Sequence, residues 1–150
     1  MICSVFADSN LFLDAYLHRS PHYEDCNTIL QLGIDKEIKI YTSSSCLLTV
    51  MYFLKKDGLT KSDVIKVMTA TLRFCKIICT TEDHFTEAFT TAFTDLEDAV
   101  QYHTALQANY IDYFITSNTK DFKRTSSSLL VVTPKRFMTL YKKKGHSPWK

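Results

Sequence analysis

Glycine is scarce: Gly33, Gly58 and Gly145 are the only three in 150 residues, and no two stand close together. A G-x-G-x-x-G dinucleotide turn and a P-loop are therefore excluded. Any phosphate must be held by side chains or metal ions rather than by a glycine-rich backbone cradle. No G-x-S-x-G elbow is present, which removes the usual serine hydrolases. The five cysteines (Cys3, Cys26, Cys46, Cys75, Cys79) are odd in number, lie mostly in apolar stretches and form no C-x-x-C. They read as reduced thiols of a cytoplasmic protein, not as a disulfide framework or a zinc site. The opening Met1-Ile2-Cys3-Ser4-Val5 lacks the basic start and cleavage site of a signal peptide. No uncharged apolar run approaches the roughly 18 residues of a membrane span, so no membrane contact is expected. Linkers, repeats and low-complexity tracts are also missing, and residues 1–150 are expected to form one domain.

What is present suits a packed fold. Hydrophobic residues make up 45% and charged residues 23% of the chain, and at this length folding hides about 70% of the unfolded surface. The net charge of +2 is a cancellation. Residues 1–100 carry nine Lys/Arg against fourteen Asp/Glu, whereas residues 101–150 carry nine against only Asp112 and Asp121. An acidic site and a basic face in one domain suit metal-dependent work on a polyanion. The Lys142-Lys143-Lys144 run reads equally well as a solvated helix end.

Short apolar runs alternate with segments of helical period. Strands are expected at Cys3–Ala7, Ile38–Thr42, Lys76–Thr80, Tyr113–Thr116 and Leu129–Val132. Helices are expected over 9–18, 23–34, 43–56 and 60–74, with serines at 43–45 and Thr60 as N-caps. Further helices are expected at 82–93, 97–110 and 134–142. Phe85, Ala88, Phe89, Ala92 and Phe93 recur at helical spacing and are expected to face the core. Strands that are apolar throughout and separated by helices imply a parallel sheet covered on both faces. The expected fold is α/β, a three-layer α/β/α sandwich around a parallel sheet of four to five strands.

Ligands of open parallel sheets bind beyond the carboxyl ends of the strands. Asp8 ends the first strand there, and Asn118 and Asp121 follow the fourth. Asp95 and Asp98 open a helix, three residues apart. A helix cap accounts for Asp8 or Asp95 taken singly. Several carboxylates at one end of a sheet repel one another unless cations neutralise them, and oxygen-only donors suit Mg²⁺ or Mn²⁺ rather than zinc.

The segments Asp8-Ser9-Asn10-Leu11-Phe12-Leu13-Asp14, Asp95-Leu96-Glu97-Asp98-Ala99-Val100-Gln101-Tyr102 and Ile115-Thr116-Ser117-Asn118-Thr119-Lys120-Asp121-Phe122 occur in this order. Together with Arg19-Ser20-Pro21-His22-Tyr23-Glu24-Asp25 and Leu130-Val131-Val132-Thr133-Pro134, they resemble the PIN-domain family and its VapC-type toxin ribonuclease branch. The resemblance covers almost the whole chain. It implies a Mg²⁺- or Mn²⁺-dependent endoribonuclease with an RNA substrate and an antitoxin protein as partner. By position, Asp8, Asp98, Asp121 and Asn118 would be catalytic, with Asp8, Asp98, Asp121 and Asp95 around the metal. Thr116, Ser117, Lys120, Lys123 and Arg124 would bind substrate phosphates. His103 is expected to be structural. Two positions depart from the fuller pattern: Thr49 stands where many members carry a glutamate, and Asn118 where many carry an aspartate. Those departures favour the alternative, a catalytically degenerate PIN-like module that binds RNA or protein. A receiver-type phospho-acceptor domain would want an acidic pair after the first strand, and Asp8 is followed by Ser9-Asn10. Ten Phe and eight Tyr also suit a homodimer face, although most are expected in the core.

Overall fold

The computed structural model of the chain describes residues 1–122 and 129–145, with the Asp121 side chain outside the description. Five strands alternate with seven helices: β1 (Cys3–Ala7), α1 (Ser9–Tyr16), α2 (Tyr23–Ile34), β2 (Ile38–Ser43), α3 (Ser44–Lys56), α4 (Lys61–Phe74), β3 (Cys75–Ile78), α5 (Glu82–Phe89), α6 (Leu96–Gln107), β4 (Tyr113–Ile115), β5 (Leu130–Val132) and α7 (Pro134–Lys143). Every strand pair is parallel, in the order β3-β2-β1-β4-β5. The expected α/β/α sandwich is the observed one, with five strands.

β1 and β4 are apolar on both faces because both are covered. Val5, Ala7 and Ile115 join a core built from α1, α2, α3, α4 and α7. Phe6 and Phe114 point the other way and stack with ring centroids 5.0 Å apart. There they pack with Tyr102, Ala105, Ile111 and Phe122 beneath α6. The chain leaves β1 toward β2 on one side and β4 takes the other, so the sheet order reverses beside β1. That switch point opens a crevice at the carboxyl ends of β1 and β4.

Helix starts are written locally. Asp8, Ser43, Thr60, Asp95 and Thr133 each accept a backbone N–H of the helix that follows. Each satisfies a donor that the first turn leaves open. Thr60 and Asp63 form a reciprocal capping box, and Pro134 opens α7, where its missing N–H costs nothing.

One packing expectation is overturned. α5 ends at Phe89 rather than continuing to residue 93, and Phe85 and Phe89 are 47% and 65% exposed. The buried stripe of α5 is His84 and Ala88 instead. The hydrophobic period was real, but the element lies on top of α6, and its aromatic pair faces away from that contact. Phe93, beyond the helix end, does turn inward, against Tyr102 and Phe122. Lys142 and Lys143 are the exposed last turn of α7, where cations face the negative end of the helix dipole.

Candidate active site

The crevice at the switch point is built from three helix starts and one loop. Asp8 follows β1 directly; its backbone N–H donates to Ile115 of β4 and its side chain caps α1. The carboxylate is buried, at 4% exposure. Oδ1 accepts the Ser9 N–H at 2.7 Å, and Oδ2 accepts the Thr116 hydroxyl at 2.9 Å. The Cys46 thiol, in the first turn of α3, lies 3.9 Å from Oδ1. Burial pushes the Asp8 carboxyl above its ordinary range, and the hydrogen bonds from Thr116, Ser9 and Cys46 only partly oppose that. Burial and the nearby Asp8 charge in turn push the Cys46 thiol up to about 12, so it is an inert neutral neighbour.

Thr116, buried at the end of β4, begins the loop that carries the remaining groups. Its hydroxyl accepts the Asn118 N–H at 3.2 Å. The Asn118 side-chain amide donates to Asp98 Oδ2 at 3.3 Å. Asp8, Thr116, Asn118 and Asp98 thus form one connected row across the crevice. Ser117 turns the other way and donates to Asp14 Oδ2 at 2.9 Å.

Asp98 sits in the first turn of α6. Asp95 is the cap of that helix, an exposed residue whose Oδ1 accepts the Asp98 N–H at 3.1 Å. One turn further along α6, Gln101 is buried and spans to α3: its Oε1 accepts the Ser43 hydroxyl and its Nε2 donates to Ser45. Ser43 also caps α3 through the Cys46 N–H, at 3.1 Å. The beginnings of α1, α3 and α6 are therefore tied to one crevice. Thr49 stands one turn after Ser45 on α3, half-buried.

Of the expected site residues, Asp8, Thr116, Asn118 and Asp98 are brought into one row, while Ser117 is turned toward Asp14. Lys120 lies at the start of a single 3₁₀ turn, Lys120–Phe122, and is exposed. The Asp121 side chain, Lys123 and Arg124 lie outside the described residues. His103 is buried on α6, against Tyr102. Asp14 and Gln101 were not among the expected site residues. Each had a signal: Asp14 interrupts the apolar run Leu11-Phe12-Leu13, and Gln101 stands three residues after Asp98, on the same helix side.

Among the described residues no group of three or more His, Cys, Asp or Glu side chains is arranged to hold a metal ion. The chemistry of the donors nevertheless fits a hard divalent cation, with carboxylate oxygens of Asp8 and Asp98 and the amide carbonyl of Asn118. A buried Asp8 held by neutral donors alone is also a carboxylate that a cation would relieve.

A family model described as "PIN domain" matches residues 4–120. No curated protein matches the chain. Among solved structures, a toxin–antitoxin complex from Klebsiella pneumoniae is similar at 24% identity and a TM-score of 0.64, covering 87% of this chain and 97% of that one. VapBC2 from Rickettsia felis, bound to a DNA fragment from its promoter, has a TM-score of 0.64 at 19% identity, over 87% of this chain and 98% of that one. VapC20 from Mycobacterium tuberculosis, a sarcin-ricin-loop-cleaving toxin, has a TM-score of 0.55 at 13% identity, over 73% and 86%.

Proposed function

The chain belongs to the PIN domain family, and on that premise we propose that it is a divalent-metal-dependent endoribonuclease, the toxin half of a toxin–antitoxin pair. The observation that carries the reading is the row Asp98–Asn118–Thr116–Asp8 at the sheet's switch point, ending in a buried carboxylate that, among the described residues, is held by neutral donors. Asp8 and Asp98 hold the metal, with Asn118 contributing its carbonyl oxygen. When bound, Mg²⁺ or Mn²⁺ supplies a Lewis acid for the scissile phosphate and lowers the pKa of an attacking water.

The chain's own residues supply position. The Thr116 hydroxyl fixes the Asp8 carboxylate and, through the Asn118 N–H, the loop beside it. Asp14 holds Ser117 and so fixes the other side of that loop. The starts of α1, α3 and α6 bring the positive ends of three helix dipoles to the crevice, which favours a phosphate there. Lys120, with Lys123 and Arg124, takes flanking phosphates. Asp121 adds a further carboxylate to the metal site, and Asp95 steadies Asp98 through its backbone. An antitoxin partner is supported by two similar structures, the Klebsiella toxin–antitoxin complex and VapBC2.

The test incubates the purified chain with structured RNA in Mg²⁺, Mn²⁺ or EDTA, beside Asp8→Asn and Asp98→Asn. Cleavage is expected with either metal, to stop in EDTA, and to fall in both variants by at least ~100-fold, the upper end of what losing an outer-shell partner costs a metal site. Full turnover in either variant would falsify the assignment. RNA binding with no cleavage in any metal favours the binding-module reading instead, which Asn118 in place of a third carboxylate supports.

A further inference from the structure

The far end of the sheet from Asp8 carries a second set of groups that the proposed cleavage does not use. On the sheet face that α6 covers, Phe6 and Phe114 lie beneath Tyr102. Beside them on the same face, Lys39 on β2 and Lys76 on the edge strand β3 are both exposed, Lys39 level with Ser4 and Lys76 level with Phe6. Tyr41 is directly across from Lys76 in the parallel register, a separation of about 5 Å between strands. Lys39 and Tyr41 are two residues apart on one strand and share that face.

Two adjoining hollows meet at this end. One, of about 330 Å³, has an apolar floor and four cations on its wall, Lys36, Lys39, Arg73 and Lys76, with no acidic residue. The other, of about 610 Å³, shares Lys39 and is lined by Tyr41 and Tyr110. The Tyr110 ring is 51% exposed and lies 5.1 Å from the Tyr41 ring, inclined by 55°. The one acidic residue on that wall, Asp112, uses Oδ2 to accept the Ser4 backbone N–H at 2.8 Å.

We propose that this amino-terminal end of the sheet is a second contact surface for single-stranded RNA, with the four cations on phosphates and Tyr41 and Tyr110 on bases. The inference rests on the reading of RNA as the substrate. Cations beside an aromatic pair, one ring of it exposed and the other half-buried, are what an unpaired strand needs: charge for the backbone and a stacking platform that tolerates any base. An acidic peptide would use the cations and leave the paired rings without a role. In register Lys39 is level with Ser4, and Tyr41 and Lys76 with Phe6, so along the strand they stand roughly 13 Å and 7 Å from Asp8. An RNA tail several nucleotides long therefore reaches from one to the other, which makes this end a determinant of substrate choice rather than of chemistry.

The experiment measures binding of a fluorescently labelled single-stranded RNA by anisotropy, in EDTA so that nothing is cut, over a range of salt. The wild-type chain is compared with Lys39→Glu/Lys76→Glu, the milder Lys39→Gln/Lys76→Gln, and Tyr110→Ala. The double lysine variants should weaken binding and flatten the slope of log K against log salt by about 1.4, the share of two phosphate contacts on a single strand. Tyr110→Ala should weaken binding about tenfold with the slope unchanged, as loss of one stacked base does. These positions are exposed, and unchanged melting temperatures will show that the variants fold. An unaltered slope in both double variants overturns the proposal, and so does displacement of the RNA by polyglutamate at equal charge. Binding that depends on these residues in a chain that never cuts RNA keeps this inference and removes the nuclease reading. Cleavage that depends on Asp98 with binding indifferent to Lys39 and Lys76 does the reverse.

Discussion

A carboxylate placed as Asp8 is loses most of its hydration and receives hydrogen bonds from neutral groups in return. Asparagine caps helices as well as aspartate does, so Asp8→Asn keeps the start of α1 and removes a buried charge. In EDTA at neutral pH the variant should melt higher than the wild type, by about 2–4 °C for each kcal/mol gained in a chain of this length. With Mg²⁺ present the order should shrink or reverse, because only the carboxylate gains from the ion. A variant that melts lower in EDTA would show that the charge is already compensated. Asn118 is the complementary case. Its amide donates to Asp98, a contact that an aspartate would replace with repulsion. Asn118→Asp should therefore lower stability in EDTA and tighten Mn²⁺ binding in calorimetry. Equal Mn²⁺ affinity in variant and wild type would separate Asn118 from the metal.

At the scale of elements, period and capping residues made most of the fold legible: β1 and α2 run over the expected residues, and Ser43, Thr60 and Asp95 cap as their spacing suggests. The acidic residues could be placed because a parallel sheet puts its strand ends at one pole. What sequence could not supply was which side of a helix meets a neighbour. Phe85 and Phe89 carry the right period, yet α5 rests on α6 through His84 and Ala88. Asp14 and Gln101 matter through partners 103 and 58 or 56 residues away, a distance that no local pattern encodes. His103 on α6 is buried, and its Nε2 has no hydrogen-bond partner among the described residues. Burial pushes its pKa down, Glu87 on α5 pulls it up, and His84 on α5 pushes it down again. The fold thus holds the neutral ring. Stability is complete above the ordinary imidazole pKa of about 6.5 and is lost as pH falls through it toward the lower folded value. Urea unfolding at pH 7.5 and 5.5 should show a smaller loss on acidification for His103→Leu than for the wild type. Identical losses would place the sensitivity elsewhere.

For the whole molecule, the strands impose a polarity on both charge and packing. Asp8 and Asp98 lie at the carboxyl pole, while Lys36, Lys39 and Arg73 line a hollow toward the other. Packing divides at the same sheet. Five helices bury one face and α6 with α5 the other, but the two cores are not independent. Val5 and Ala7 belong to one and Phe6, between them, to the other. Melting either face exposes β1 to water and strips the opposite core of its central strand. Residues 1–150 should therefore unfold in one transition, with calorimetric and van't Hoff enthalpies equal. Phe6→Ala opens a cavity against Phe114 on the α6 side only. It should nevertheless lower the stability of the entire chain by about 3–5 kcal/mol, shifting a single transition. If the variant instead shows an early, separate melting of the α5–α6 layer while the signal of the other face stays put, the sheet does not couple the two cores, and the crevice built between α6 and β1 would have to be held together by side-chain ties such as Gln101 to Ser43 and Ser45 and Asn118 to Asp98.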